Sequence, residues 1–150
     1  MKLAISLTLA VLTVLAPFAA SSCRAEHDQV VVEAVDKCLS SLPSDWFQMK
    51  PEVLYEKLDG GEEWFVLDVR RPEEFATGHL QGAVNIPVHE LGKKINFLPQ
   101  EMERQIVVYC GSGVRSMFAA SALLILGYEC VYNMRGGFSA WEAAGLPVEH

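Results

Sequence analysis

The chain has 150 residues, 51% of them apolar, and a formal charge of −7 at pH 7. That length accommodates one domain with a modest extension. The acidic balance, with a sequence pI near 5.0, excludes nucleic acid as a partner, because its phosphates would be repelled. The four Cys and four His are scattered without zinc-ligand spacing, so no metal site is expected.

The first predicted element lies outside the fold. Met1-Lys2 is a short basic start, Leu3 to Leu15 is an apolar stretch, and Ala16 to Ala25 is rich in small residues. The apolar stretch is too short to span a bilayer comfortably as a helix. Residues 1–25 therefore read as a secretory signal peptide cleaved near 22–25. Cleavage after Ala25 gives a soluble exported protein, with the bacterial periplasm as its compartment. Cleavage after Ser22 leaves Cys23 first, and Ala20-Ser21-Ser22-Cys23 loosely resembles a bacterial lipobox, so a lipid anchor at Cys23 is the alternative. Neither cut leaves a membrane span in the mature form; a retained N-terminal anchor is the remaining reading.

Residues 26–44 form an extension in which Val30-Val31-Val32, Val35, Leu39 and Leu42 make a loose helical stripe ending at Pro43. It reads as a cap on the domain or, alternatively, as a homodimer contact. Residues 45–150 form one domain. Trp46 to Met49 is a short strand, and Pro51 starts a helix that Gly60-Gly61 closes. Trp64 to Val69 is a buried strand, followed by a helix with Pro72 at its first position and Glu73-Glu74 in its first turn, where acidic residues suit the dipole. Ala83 to Ile86 is a brief strand stopped by Pro87, and His89 to Phe97 is helical up to Pro99. Ile106 to Tyr109 is a β-branched strand, Met117 to Leu126 an apolar helix with Gly127 at its C-terminal end, and Val131 to Met134 a further strand. A last short helix holds Trp141 before Gly145. This alternation predicts an α/β fold of three layers, with a mostly parallel central sheet of about five strands covered by helices on both faces. Ligands of such sheets bind at the carboxyl ends of the strands.

At one such end stands Cys110-Gly111-Ser112-Gly113-Val114-Arg115-Ser116. Backbone N–H groups converge on the mouth of the helix that follows, and the positive end of its dipole adds to them. Such an environment favours thiolate, the nucleophilic form of cysteine. Gly111 and Gly113 allow the backbone to curl round the sulfur, and Arg115 adds a permanent positive charge.

Residues 47–147 resemble a single rhodanese (sulfurtransferase) domain. The matching segments are Phe65-Val66-Leu67-Asp68-Val69-Arg70, Pro72-Glu73-Glu74-Phe75, Gly78 to Pro87, the cysteine loop, and Gly136-Gly137-Phe138-Ser139-Ala140-Trp141. The resemblance implies that Cys110 cycles between thiolate and persulfide. It would take a sulfane sulfur from a small anionic donor such as thiosulfate or polysulfide and pass it to a thiol or cyanide. The double displacement that the resemblance implies requires no cofactor. The alternative is a persulfide-carrying or sulfur-sensing module that serves a partner protein and turns over little alone. The loop from Cys110 to Arg115 has six residues, like the sulfur-transferring members; related phosphatases and arsenate reductases use a longer one. Gly111, Ser112, Gly113, Val114, Arg115 and Ser116 are the expected binding loop. The resemblance assigns Asp68 and Arg70 to supporting it. Gly111 to Val114 are neutral and resemble the mercaptopyruvate-using branch, whose members are normally two-domain proteins.

For the remaining candidates the plainer reading leads. His79 is expected as a structural imidazole, Trp141 and Phe138 as core and wall residues, and Arg135 as either an entrance or a solvated surface residue. Ser112 is a candidate donor to the leaving group. Cys38 and Cys130 either pair, leaving Cys110 free, or remain thiols; burial of Cys130 as a plain thiol is the expectation.

Overall fold

The computed structural model describes residues 27–45 and 47–150. The expected signal peptide with its expected cleavage sites, Cys23 and Trp46 lie outside the described residues.

The elements in chain order are α1 (Gln29–Ser40), β1 (Gln48–Met49), α2 (Pro51–Asp59), β2 (Phe65–Asp68), α3 (Pro72–Ala76), β3 (Val84–Asn85), two 3₁₀ turns (Val88–Lys93 and Ile95–Phe97), β4 (Ile106–Tyr109), α4 (Val114–Ile125), β5 (Val131–Met134) and α5 (Gly137–Ala143). Five strands form one sheet in the order β1-β5-β4-β2-β3, and each neighbouring pair is parallel. The α/β expectation of a parallel sheet between helical layers therefore describes the molecule.

Alternation along β4 sets the position of the cysteine. Ile106, Val108 and Cys110 face a core completed by Leu67, Val69, Ile86 and the buried face of α4 (Ala119, Ala120 and Leu123). Val107 and Tyr109 face the opposite core, with Leu54 of α2 and Phe138 and Trp141 of α5. Successive side chains of a strand point to opposite faces, so Cys110, one residue beyond Tyr109, lies on the α4 side. All four residues of β4 are buried, as expected for a central parallel strand. The carboxyl end of that strand is thus a dry platform on which α4 begins.

Two expectations differ from the structure. The segment from His89 to Phe97 forms 3₁₀ turns, not one α-helix. Gly92 stands in its middle, where it weakens an α-helix, and Pro99 ends the segment. Cys130 precedes β5 and is half-buried, because it occupies the turn whose carbonyl accepts from Ile106 N–H at 2.8 Å. Cys38 is buried on α1, and both cysteines are free thiols. α1 packs on α4, with Cys38 its one buried residue.

The two faces of α4 yield a direct test. Leu123 is 0% exposed while Phe118, on the same helix, is 72% exposed. Leu123→Ala is expected to lower the unfolding free energy by about 3 kcal/mol through the lost burial and the cavity left behind. Phe118→Ala is expected to change it by less than about 0.5 kcal/mol. Urea denaturation of both variants measures the difference.

Candidate active site

β4 ends at Tyr109, and Cys110 opens a turn whose carbonyls are drawn away from the sulfur. Phe138 N–H donates to Cys110 O at 2.7 Å, and Ser139 N–H to Gly111 O at 3.0 Å. Both donors belong to the first turn of α5, whose N–H groups have no partner within the helix. With these carbonyls held by α5, the N–H groups of the same peptides, Gly111 and Ser112, turn inward. Gly113 N–H donates to Cys110 Sγ at 3.2 Å, and the backbone N–H groups of Ser112 and Ser116 also act on the sulfur.

Two glycines make this geometry attainable. Gly113 has φ 93° and caps α4, a left-handed conformation that other residues adopt only with strain. Gly137 has φ 61° and lies so close to the loop that an added Cβ would overlap the Cys110 carbonyl oxygen and sit 2.8 Å from Gly111 O. A side chain there would push α5 off the loop.

Cys110 is 0% exposed. Burial alone pushes its thiol up, but the Ser116 hydroxyl and the N–H groups of Ser116, Ser112 and Gly113 outweigh it, and the net shift is downward from 9.0. The Ser116 hydroxyl stands 3.5 Å from Sγ. Stabilisation of the thiolate thus comes from hydrogen bonding, the contribution that favours the charged form.

Arg115 turns to the side of the loop. Its guanidinium forms two parallel bonds to Glu74, Nη1 to Oε2 and Nη2 to Oε1, each 2.7 Å. Glu74 Oε2 also accepts from Arg71 N–H at 3.0 Å, so one carboxylate ties the start of α3 to the first turn of α4. Paired Arg–carboxylate bonds fix geometry as well as adding energy. Of the remaining loop residues, Ser112 and Val114 are exposed and Gly111 is half-buried.

Asp68 and Arg70 lie one layer behind the loop. Arg70 donates to Asp68 through Nε at 2.9 Å and Nη2 at 2.7 Å, and Nη2 also donates to Gly78 O at 2.7 Å. Both residues are buried. The guanidinium lies 4.0 Å from the centre of the Phe138 ring, so it supports the same α5 turn that holds the loop carbonyls. Asn85 Nδ2 donates to Asp68 O and Arg70 O, each at 3.0 Å, fixing the turn after β2.

His79 stacks on Phe75 at 3.9 Å and its Nδ1 meets Phe75 O at 3.2 Å, a structural role. Trp141 is buried and its Nε1 donates to Pro147 O at 2.8 Å. Arg135 is exposed and lines an open hollow with Lys50, Pro51 and Gly136. Sequence reasoning missed three residues of the site: Glu74, Gly137 and Asn133. Glu74 was visible as a first-turn acid and within a segment that carries the family resemblance, but not as a partner of Arg115. Gly137 belongs to a recognisable glycine pair. Asn133 carried a usable signal, since a buried amide inside an apolar strand needs partners.

The Arg115–Glu74 pair predicts a pH effect. The Glu74 carboxyl, hydrogen-bonded to Arg115, falls from 4.5 to about 2. Its folded value is below its unfolded one, so the pair contributes stability that is full above pH 4.5 and is lost as the pH falls towards 2. Both side chains are about a third exposed, so solvent screening keeps the effect modest. Glu74→Gln is expected to remove this part of the acid dependence, which thermal unfolding across that range measures.

The comparisons with known proteins agree with this geometry. The family description "Rhodanese-like domain" matches residues 50–144, a span that contains Asp68, Arg70, Glu74, the whole cysteine loop and the α5 turn. A sulfurtransferase of Allochromatium vinosum is 36% identical over 101 residues, covering 67% of this chain and 92% of that protein. The chloroplastic thiosulfate sulfurtransferase 16 of Arabidopsis thaliana is 42% identical over 93 residues, covering 55% and 78%. The crystal structure of a rhodanese-related protein from Thermoplasma volcanium superposes with a TM-score of 0.61 at 33% identity, covering 68% of this chain and 96% of that one. With that family description matching well over half of its length, the chain belongs to the rhodanese-like domain family.

Proposed function

We propose that the protein is a sulfurtransferase that carries a sulfane sulfur on Cys110. The observation that carries this reading is the buried Cys110 sulfur, ringed by N–H donors and the Ser116 hydroxyl and favoured as a thiolate. Relatives named sulfurtransferase and thiosulfate sulfurtransferase support the reaction class.

The thiolate attacks the outer sulfur of a donor such as thiosulfate. A sulfur–sulfur bond forms to Cys110 while the donor's own sulfur–sulfur bond breaks, and its electron pair leaves with sulfite. Cyanide or a thiolate then attacks the outer sulfur of the persulfide, and the Cys110 thiolate is restored with its electron pair. The two displacements balance without an external oxidant or reductant. The persulfide anion draws on the same N–H groups that favoured the thiolate, so the cradle is preorganised for both charged states. Asp68, Arg70 and Glu74 act by holding it in shape.

A second reading, delivery of the sulfur to a partner protein with little turnover alone, is favoured by the exposed apolar side chains beside the loop: Val114 is 61% exposed and Phe118 72%. We also propose export. The basic start, apolar stretch and small-residue tail of residues 1–25 support it.

Thiosulfate:cyanide transfer by the purified protein is expected to vanish in Cys110→Ser and to persist in Cys38→Ser and Cys130→Ser. Substantial transfer by Cys110→Ser contradicts the mechanism, and persulfide loading without turnover selects the carrier reading. Hydrolysis of aryl phosphates is expected to be negligible, because a phosphoryl group needs room for three equatorial oxygens and each misplaced donor at such a site costs about 3 kcal/mol. N-terminal analysis of protein from its native host is expected to begin near Glu26 or, if lipidated, at Cys23. An intact Met1 on cytosolic protein contradicts export.

A further inference from the structure

Behind the cysteine loop the Ser116 hydroxyl belongs to a buried polar cluster whose other member, Asn133, the sulfur chemistry described above leaves unused. Ser116 is 0% exposed and Asn133 of β5 is 2% exposed. The Ser116 hydroxyl donates to Asn133 Oδ1 at 2.6 Å and also stands 3.5 Å from Cys110 Sγ. A serine hydroxyl has one proton to donate. Two acceptors therefore compete for it, an amide oxygen and the reactive sulfur.

The side chain of Asn133 is held in the orientation that makes it a competitor. Its Nδ2 donates to Gln48 Oε1 at 3.2 Å and to Gly113 O at 3.3 Å. With the amino end fixed by two acceptors, Oδ1 faces Ser116. The short contact to Oδ1 has one polarity, since Oδ1 cannot donate. While Ser116 gives its proton to Asn133, it presents oxygen lone pairs to Sγ. Those lone pairs accept from a neutral S–H and repel an anionic sulfur. When the sulfur is a thiolate or a persulfide, the hydroxyl proton turns to the sulfur and Oδ1 loses its donor. A buried acceptor left without a donor has a free-energy cost.

We propose that Asn133 is a positioning residue that holds the Ser116 proton away from the neutral Cys110 thiol and yields it to the sulfur once the sulfur is anionic. Asn133 thereby opposes the thiolate through Ser116 and keeps the resting sulfur nucleophilic, because the intrinsic reactivity of a thiolate falls with its pKa. Of the charged groups around the loop, Arg115 also acts on Cys110, a contribution common to all the variants compared, and both cations are held by carboxylates. Arg115 is closed onto Glu74 from α3, and Arg70 onto Asp68 behind Tyr109.

The proposal rests on the sulfur-transfer reading of Cys110, but its test needs no sulfur donor, so the two fail separately. The Cys110 thiolate is titrated by its ultraviolet absorbance, referenced to Cys110→Ser, in Asn133→Leu, Ser116→Ala and the double variant. Asn133→Leu is expected to lower the titration midpoint by about half a pH unit to one unit, the range set by the net worth of one hydrogen bond. In the Ser116→Ala background the same change is expected to shift nothing. An equal shift in both backgrounds, an upward shift or no shift overturns the proposal. Nuclear magnetic resonance of the unmodified protein tests it without altering Asn133. The Asn133 side-chain carbonyl carbon is expected to titrate at the Cys110 midpoint, and to lose that titration in Ser116→Ala. An Asn133 signal that ignores the midpoint, or follows it unchanged in Ser116→Ala, also overturns it.

Discussion

The site depends on two hydrogen bonds from the first turn of α5 to the carbonyls of Cys110 and Gly111. A peptide group has its C=O and N–H on opposite sides, so fixing these two carbonyls outward turns the N–H groups of Gly111 and Ser112 inward. The left-handed Gly113 and the start of α4 add the N–H groups of Gly113 and Ser116. Everything else at the site protects that arrangement. Gly137 permits the close approach, the Arg70 guanidinium lies beneath the Phe138 ring, and Asp68 satisfies the buried charge of Arg70. The ion pair contributes chiefly by position. Removing one partner would leave an uncompensated buried charge, a loss of about 3–5 kcal/mol.

In the proposed reaction the loop holds anionic sulfur with its side-chain cation already paired. Arg115 is the one cation within it, and Glu74 neutralises that charge with two bonds. The positive potential at Sγ therefore comes from backbone dipoles and the start of α4, with the paired Arg115 guanidinium also acting on Cys110. Such donors are fixed by the fold and need little reorganisation when charge moves from thiolate to persulfide. Recognition of the donor then rests on size and on a terminal sulfur that reaches a buried nucleophile, which suits the neutral Gly111-Ser112-Gly113-Val114 run.

How much was legible in the sequence follows from how local each feature is. The strand from Ile106 to Tyr109, the glycine turn and the apolar helix after it lie within one continuous segment, and their order alone located the nucleophile. The parallel sheet followed from alternating patterns that each element carries by itself. Glu74 and Asn133 were not legible as site residues, because their partners lie 41 and 17 positions away in the chain. In sequence, Glu74 satisfied a local rule about helix dipoles, and nothing local reveals that it reaches Arg115. The 3₁₀ turns at 88–97 differ for another reason: His89 to Phe97 reads as helical, and Gly92 in its middle weakens the α form.

The central claim is that the buried Cys110 sulfur accepts and holds a sulfane sulfur. The most direct measurement is the intact mass of the purified protein after brief exposure to thiosulfate, with peptide mapping to locate any gain. The account predicts the addition of one sulfur atom, located on Cys110 and removed by cyanide. An unchanged mass, or a sulfur carried by Cys38 or Cys130 with Cys110 unmodified, would contradict it.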